Sequence, residues 1–127
     1  MKPMSELEHF EIVGDHAEYR PTGQVSLDQM AQLITSAIAF ARERQIGKLL
    51  ADTCGLTGFK SPSLIDRYHF IHQWAEASGH VVRVVLVARP EMIDPQKFGV
   101  TVATNLGFIA DIFASEEQAL AWLQTFE

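Results

Sequence analysis

The stretch GKLLADTCGLTGFKSPSLIDRY, Gly47 to Tyr68, decides how the rest of the chain is read. Leu49, Leu50 and Ala51 form a short apolar run closed by Asp52, which predicts a strand over 48–52. Two glycines then mark a loop. Ser61-Pro62-Ser63 offers a capping residue, a residue favoured at a first helical position and a second hydroxyl, so the spacing predicts a helix from Pro62 to about Ser78. A strand, a loop and a helix in that order build one unit of an open α/β sheet. In such sheets ligands sit in the crevice beyond the carboxyl ends of the strands, which makes the loop from Thr53 to Ser63 the candidate working surface.

Outward from this unit the same pattern recurs. Toward the N-terminus, the runs Glu8 to Val13 and His16 to Arg20 alternate residue by residue across Gly14-Asp15, as an antiparallel hairpin does. Ser26-Leu27-Asp28-Gln29 has capping-box spacing and opens a helix whose apolar stripe is Leu27, Met30, Ile34, Ala37, Ile38 and Ala41. Toward the C-terminus, Leu64, Tyr68, Ile71 and Ala75 are the expected buried stripe of the second helix, with Phe70 and Trp74 to one side. Val81 to Ala88 is almost continuously apolar and β-branched, as an interior parallel strand is. Asp94-Pro95 is expected to open a short helix ended by Gly107. Phe108 to Phe113 reads as a last strand, and Ser115-Glu116-Glu117-Gln118 as the start of a closing helix. The expected order is ββαβαβαβα: a mostly parallel sheet with an N-terminal antiparallel hairpin and four helices.

The 127 residues fit a single domain, 1–127, with room for a core that needs no metal or disulfide. Ten basic against sixteen acidic residues leave a net charge of -6, which disfavours phosphate backbones and anionic membrane surfaces as partners. Nucleic acid is therefore not an expected partner. The lone cysteine, Cys54, has no internal disulfide partner. MKPMSELEHF lacks the basic and apolar regions of a signal peptide, and no run approaches the roughly 20 apolar residues of a membrane span, so the cytoplasm is the expected address.

The sheet-entry hairpin, LLADTCGLTGFKSPSLIDRYHF and the pairing of KFGVTVATNLGF with IFASEEQALAWL together resemble the SpoIIAA-like, or STAS, fold of the anti-sigma-factor antagonists. The resemblance spans Phe10 to Leu123. It implies an α/β fold of that type and a regulatory, protein-binding role. It also implies a phosphorylatable hydroxyl near the start of the helix after the central strand. The matching positions are Ser61 and Ser63, with Thr53 and Thr57 before them, although a longer loop stands where the antagonists have a compact Asp-Ser-Ser-Gly turn.

The residues themselves supply few catalytic candidates. His69 and His72 are three apart on one helix, but their directions differ by most of a right angle, and no metal or other cofactor is expected. Gly55 and Gly58 lack phosphate-loop spacing. Asp52 and Arg89, at neighbouring strand ends, are candidates for an ion pair lining the crevice. The leading expectation is a non-catalytic regulatory or protein-interaction module, a homodimer, whose binding or regulatory residues are Asp52, Thr53, Thr57, Phe59, Ser61, Ser63, Arg67, Phe70, Trp74 and Arg89. The alternative is a small apolar ligand or lipid held as CRAL-TRIO domains hold theirs, motivated by the surplus of Leu33, Phe59, Phe70 and Trp74. An enzyme acting through Asp52, Arg89 or Cys54 is third.

Overall fold

The computed structural model describes residues 7–126. The first six residues, on which the reading of a missing signal peptide partly rests, and Glu127 lie outside the described residues. In chain order the elements are β1 (Phe10–Val13), β2 (His16–Tyr19), β3 (Gly23–Gln24), α1 (Leu27–Glu43), β4 (Lys48–Asp52), β5 (Leu56–Thr57), α2 (Leu64–Ser78), β6 (Arg83–Val87), a single 3-10 turn (Pro90–Met92), α3 (Phe98–Asn105), β7 (Ala110–Phe113) and α4 (Glu116–Leu123). The main sheet runs β1-β2-β4-β6-β7. Only β1 is antiparallel to its neighbour, with Phe10 opposite Tyr19 and Val13 opposite His16. Gly14 takes the positive φ, +62°, that the tight connection requires. This is the α/β arrangement read from the sequence: a mostly parallel sheet, an antiparallel entry and four helices.

Strand alternation divides the core in two. Ala17, Tyr19, Leu49, Ala51 and Val84 face α1, α2 and α3. Leu50, Val85 and Val87 face α4, through Ala119 and Leu123. Ile34, Ile38, Leu49 and Val84 are at most 1% exposed, and each such side chain stabilises the fold by about 1.5–3 kcal/mol. Trp74 locks α2 to α1 by donating from Nε1 to the Ala31 carbonyl at 3.1 Å.

The pair β3 and β5 was not expected. These two-residue strands run parallel and tie the loop after β4 to the segment before α1, with the Val25 amide donating to the Thr57 carbonyl at 2.8 Å. The candidate loop is thus stapled at its middle.

Several boundaries shift for local reasons. Ser63, not Ser61, caps α2: its hydroxyl accepts from the Asp66 amide at 3.0 Å and the Asp66 carboxylate accepts from the Ser63 amide at 3.0 Å. That reciprocal box satisfies two free amides at once. The buried stripe of α2 is Phe70, Ile71, Trp74, Ala75 and Ser78, while Leu64 (51%) and Tyr68 (45%) are exposed. The first turns of α2 reach past the residues that cover its later half. β6 starts two residues later than expected, leaving Val81 outside the sheet. α3 starts at Phe98, because Asp94 to Lys97 form a turn of their own; the Asp94 carboxylate still accepts from the Phe98 amide, at 2.8 Å. Gly107, at φ +72°, follows α3 as expected.

Candidate functional site: a cleft over the last two strands

Leu86 lies on an interior strand, yet it remains partly exposed, as does Ile112 beside it on β7. An apolar cleft over this part of the sheet explains both. Val84, Leu86, Ala110 and Ile112 form its floor. Phe59, Phe70, Ile71 and Trp74 form one wall, and Gly99 and Val100 of α3 the other. The cleft offers about 100 Å³ to the centres of water-sized molecules, several times what one water occupies.

Polar side chains gather where the cleft reaches the strand ends. The Thr53 hydroxyl donates to the Val87 carbonyl at 2.9 Å, which joins β4 to β6. Arg89 follows the end of β6 and donates from Nη2 to the Leu56 carbonyl at 3.0 Å. Arg67 projects from the first turn of α2 and donates to the Pro62 carbonyl, to the Ser61 hydroxyl at 3.0 Å and to the Met92 carbonyl at 3.0 Å. Arg67 thus ties the 3-10 turn to the start of α2, while Arg89 ties the end of β6 to β5. Lys97, also at the cleft, pairs with Asp111 at 2.7 Å.

Of the ten residues singled out from the sequence, Thr53, Phe59, Arg67, Phe70, Trp74 and Arg89 line this one cleft. Thr57, Ser61 and Ser63 lie outside it, with Thr57 in β5 and Ser63 at the cap of α2. Asp52 is on the opposite face of the sheet. The expected Asp52–Arg89 ion pair is absent among the described residues, although both groups stand at the same end of parallel neighbours. Alternation sends Asp52 to the Leu50 side, whereas Arg89 follows the end of β6 and is not bound by its alternation. Sequence reading missed Leu86, Ile112, Val100 and Met92 as cleft residues. Nothing in an apolar run separates a floor from a core.

The face under α4 carries a second group of polar residues. Arg20 grips Glu116 with two parallel bonds, Nε to Oε2 at 2.8 Å and Nη2 to Oε1 at 2.7 Å, and also donates from Nη2 to Glu18 at 2.6 Å. Glu18 in turn meets His16 at 2.8 Å. The Arg20 contact holds the Glu116 carboxyl down at about 2. Asp52, facing Glu116, is pushed above the usual carboxylate range, by burial first and then by that neighbour. The Cys54 amide donates to Asp52 at 2.9 Å. Burial, with the Asp52 contact adding to it, raises the Cys54 thiol to about 11. A thiol so held is a poor nucleophile at neutral pH. His69 and His72 pack against the Tyr68 ring, at 5.6 and 4.4 Å between centroids.

No family model matches the chain, and no curated protein matches it. Among solved structures, the NMR structure of the protein TM1081 is similar with a TM-score of 0.50 at 15% identity, covering 98% of this chain and 94% of that one. The anti-sigma factor antagonist SpoIIAA in its unphosphorylated form gives 0.49 at 15% identity, over 91% and 96% of the two chains. An uncharacterized protein of the DUF3478 family with a SpoIIAA-like fold, from Shewanella loihica PV-4, gives 0.46 at 21% identity, over 90% and 89%. At these identities the likeness to TM1081 speaks to the fold alone.

Proposed function

We propose that the chain is a non-catalytic regulatory or interaction module that works by holding a small apolar guest in the cleft over β6 and β7. The observation that carries this reading is the partly exposed Leu86 on an interior strand, with Ile112 beside it: apolar floor that the chain's own helices leave uncovered. The enzyme reading has little support, since Asp52 and Cys54 do not line the cleft that Arg89 lines. Native mass spectrometry of protein purified from cells tests the proposal. A mass excess lost on denaturation is the expected result. A clean apo mass, together with no binding of added apolar compounds, rejects it.

A protein partner is a second reading, and a different observation favours it. Leu64, Ile65 and Tyr68 form an exposed apolar face on the first turns of α2, beside the cleft-lining Arg67; Ile65 is 70% exposed. A second copy of the chain is the partner expected from the sequence. Light scattering should then find a dimer that Ile65→Glu converts to monomer, and a wild-type monomer at tens of micromolar removes the homodimer.

A further inference from the structure

The cleft is apolar, but its rim is cationic in a protein that is otherwise acidic. Against a net charge of -6, Arg67 and Arg89 both line the cleft and neither forms an ion pair among the described residues. The third cation, Lys97, already has a carboxylate in Asp111. Partly buried guanidinium groups in apolar surroundings lose hydration, and an anion restores the most. Arg67 has its Nη atoms engaged with two carbonyls and a hydroxyl. Arg89 engages one Nη2 proton with Leu56, so its Nε and Nη1 donors are without a hydrogen-bond partner among the described residues. Whichever Nη2 proton Leu56 takes, the other stands beside a free donor, Nε or Nη1, and that pair forms a planar fork matching the two oxygens of a carboxylate.

We propose that the cleft binds a small apolar molecule ending in a carboxylate, with Arg89 as the bidentate partner of that carboxylate and Arg67 as a second positive charge beside it. This rests on the reading of the cleft as a ligand site and adds the chemistry of the head. The apolar tail lies over Leu86 and Ile112, between the walls formed by Phe70 and Val100. Asp94 lines the same cleft and disfavours a head with two negative charges, so a carboxylate fits better than a dianionic phosphate. An ammonium head meets two arginines and is repelled.

Trp74 lies in the cleft wall, and Trp122, the other tryptophan, is on α4; Trp122→Phe therefore leaves a single reporter. Fluorescence titration of that protein with octanoate, octanol, octylammonium and octyl phosphate tests the assignment. The expected order is octanoate tighter than octanol by about tenfold or more, the scale of a charge-assisted hydrogen bond, with octylammonium weakest. Arg89→Gln should remove most of the octanoate advantage, with octanol binding reporting that the cleft still forms. Arg89→Lys keeps the charge and a donor for Leu56 but loses the fork, and should retain part of the advantage. Equal affinities for octanoate and octanol, or tighter octylammonium or octyl phosphate, overturn the carboxylate while leaving an apolar cleft, and an octanoate advantage undiminished in Arg89→Gln overturns Arg89 as its partner. Binding of none of the four overturns the cleft as a ligand site as well.

Discussion

Gly58 shows how one residue fixes the shape of the loop that borders the cleft. Its φ is +102°, and a Cβ built there would stand 2.6 Å from the Val25 carbonyl oxygen. The backbone approach is close because β3 and β5 pair at this point. Gly58→Ala is therefore expected to destabilise the protein by about 1–3 kcal/mol, read from urea unfolding, and to loosen Phe59 in the cleft wall. Gly14 also has a positive φ but open space around it, so alanine there meets backbone strain alone and should cost less. Cys54 gives a second residue-scale prediction. With its thiol raised to about 11, first by burial and then by Asp52, alkylation by iodoacetamide should stay slow at neutral pH and accelerate only in strongly alkaline solution. Asp52→Asn removes a hydrogen bond to the thiol and a negative charge, so it should move that rise to lower pH. An unchanged alkylation profile in Asp52→Asn contradicts the part assigned to Asp52 and leaves burial as the cause.

At the scale of elements, the two serines before α2 make unequal predictions. Ser63→Ala breaks a reciprocal cap and should cost about 1 kcal/mol, whereas Ser61→Ala loses only an exposed contact with Arg67 and should cost less. Equal losses in thermal melts of the two variants would show that the cap is shared. The spacing Ser-Pro-Ser points to Ser61 as the cap with Pro62 at the first helical position, and Asp66, three residues after Ser63, is the signal that moves the cap to Ser63. Where a helix start is encoded within four residues, the sequence shows it plainly: Ser26 and Gln29 form the expected box, and Ser115 accepts from the Gln118 amide. The buried stripe of α2 was harder to read. Leu64 and Tyr68 have the right spacing for burial, but the first turns of α2 are not covered there, and periodicity carries no information on where a neighbour stops. Six of the ten site candidates share the cleft because the loop and helix after a strand end stay together in any open α/β sheet. The hydroxyls at Thr57, Ser61 and Ser63 fall outside because β5 and the helix cap engage that backbone locally.

At the scale of the molecule, the face under α4 couples the two ends of the chain through charge. Arg20 and Glu116 are 96 residues apart, and in sequence His16, Glu18 and Arg20 look like the solvent side of an edge hairpin. Strand β2 is in fact second in the sheet, and only the closing helix brings the partner. The consequence is a pH dependence with two limbs of opposite sign. Glu116 is held at about 2, below the 4.5 of an ordinary glutamate, by the Arg20 contact first. Its contribution to stability is fully present above about pH 4.5 and is lost as pH falls toward 2. Asp52 is raised above its ordinary 3.8, by burial first, so the folded state takes up a proton there before the unfolded chain does. Its ionisation opposes folding at neutral pH, and acidification through the raised value relieves that cost. Urea unfolding between pH 7 and 2 should show stability held or slightly increased on first acidification, then a fall. Asp52→Asn should stabilise the protein at pH 7 and remove the early gain. Glu116→Gln should lower stability at pH 7 and flatten the acid limb, since the group that must be protonated is gone. An acid limb in Glu116→Gln as steep as in the wild type would place the acid sensitivity in other carboxylates, with Glu18, held low by His16 and then by Arg20, the next to be substituted.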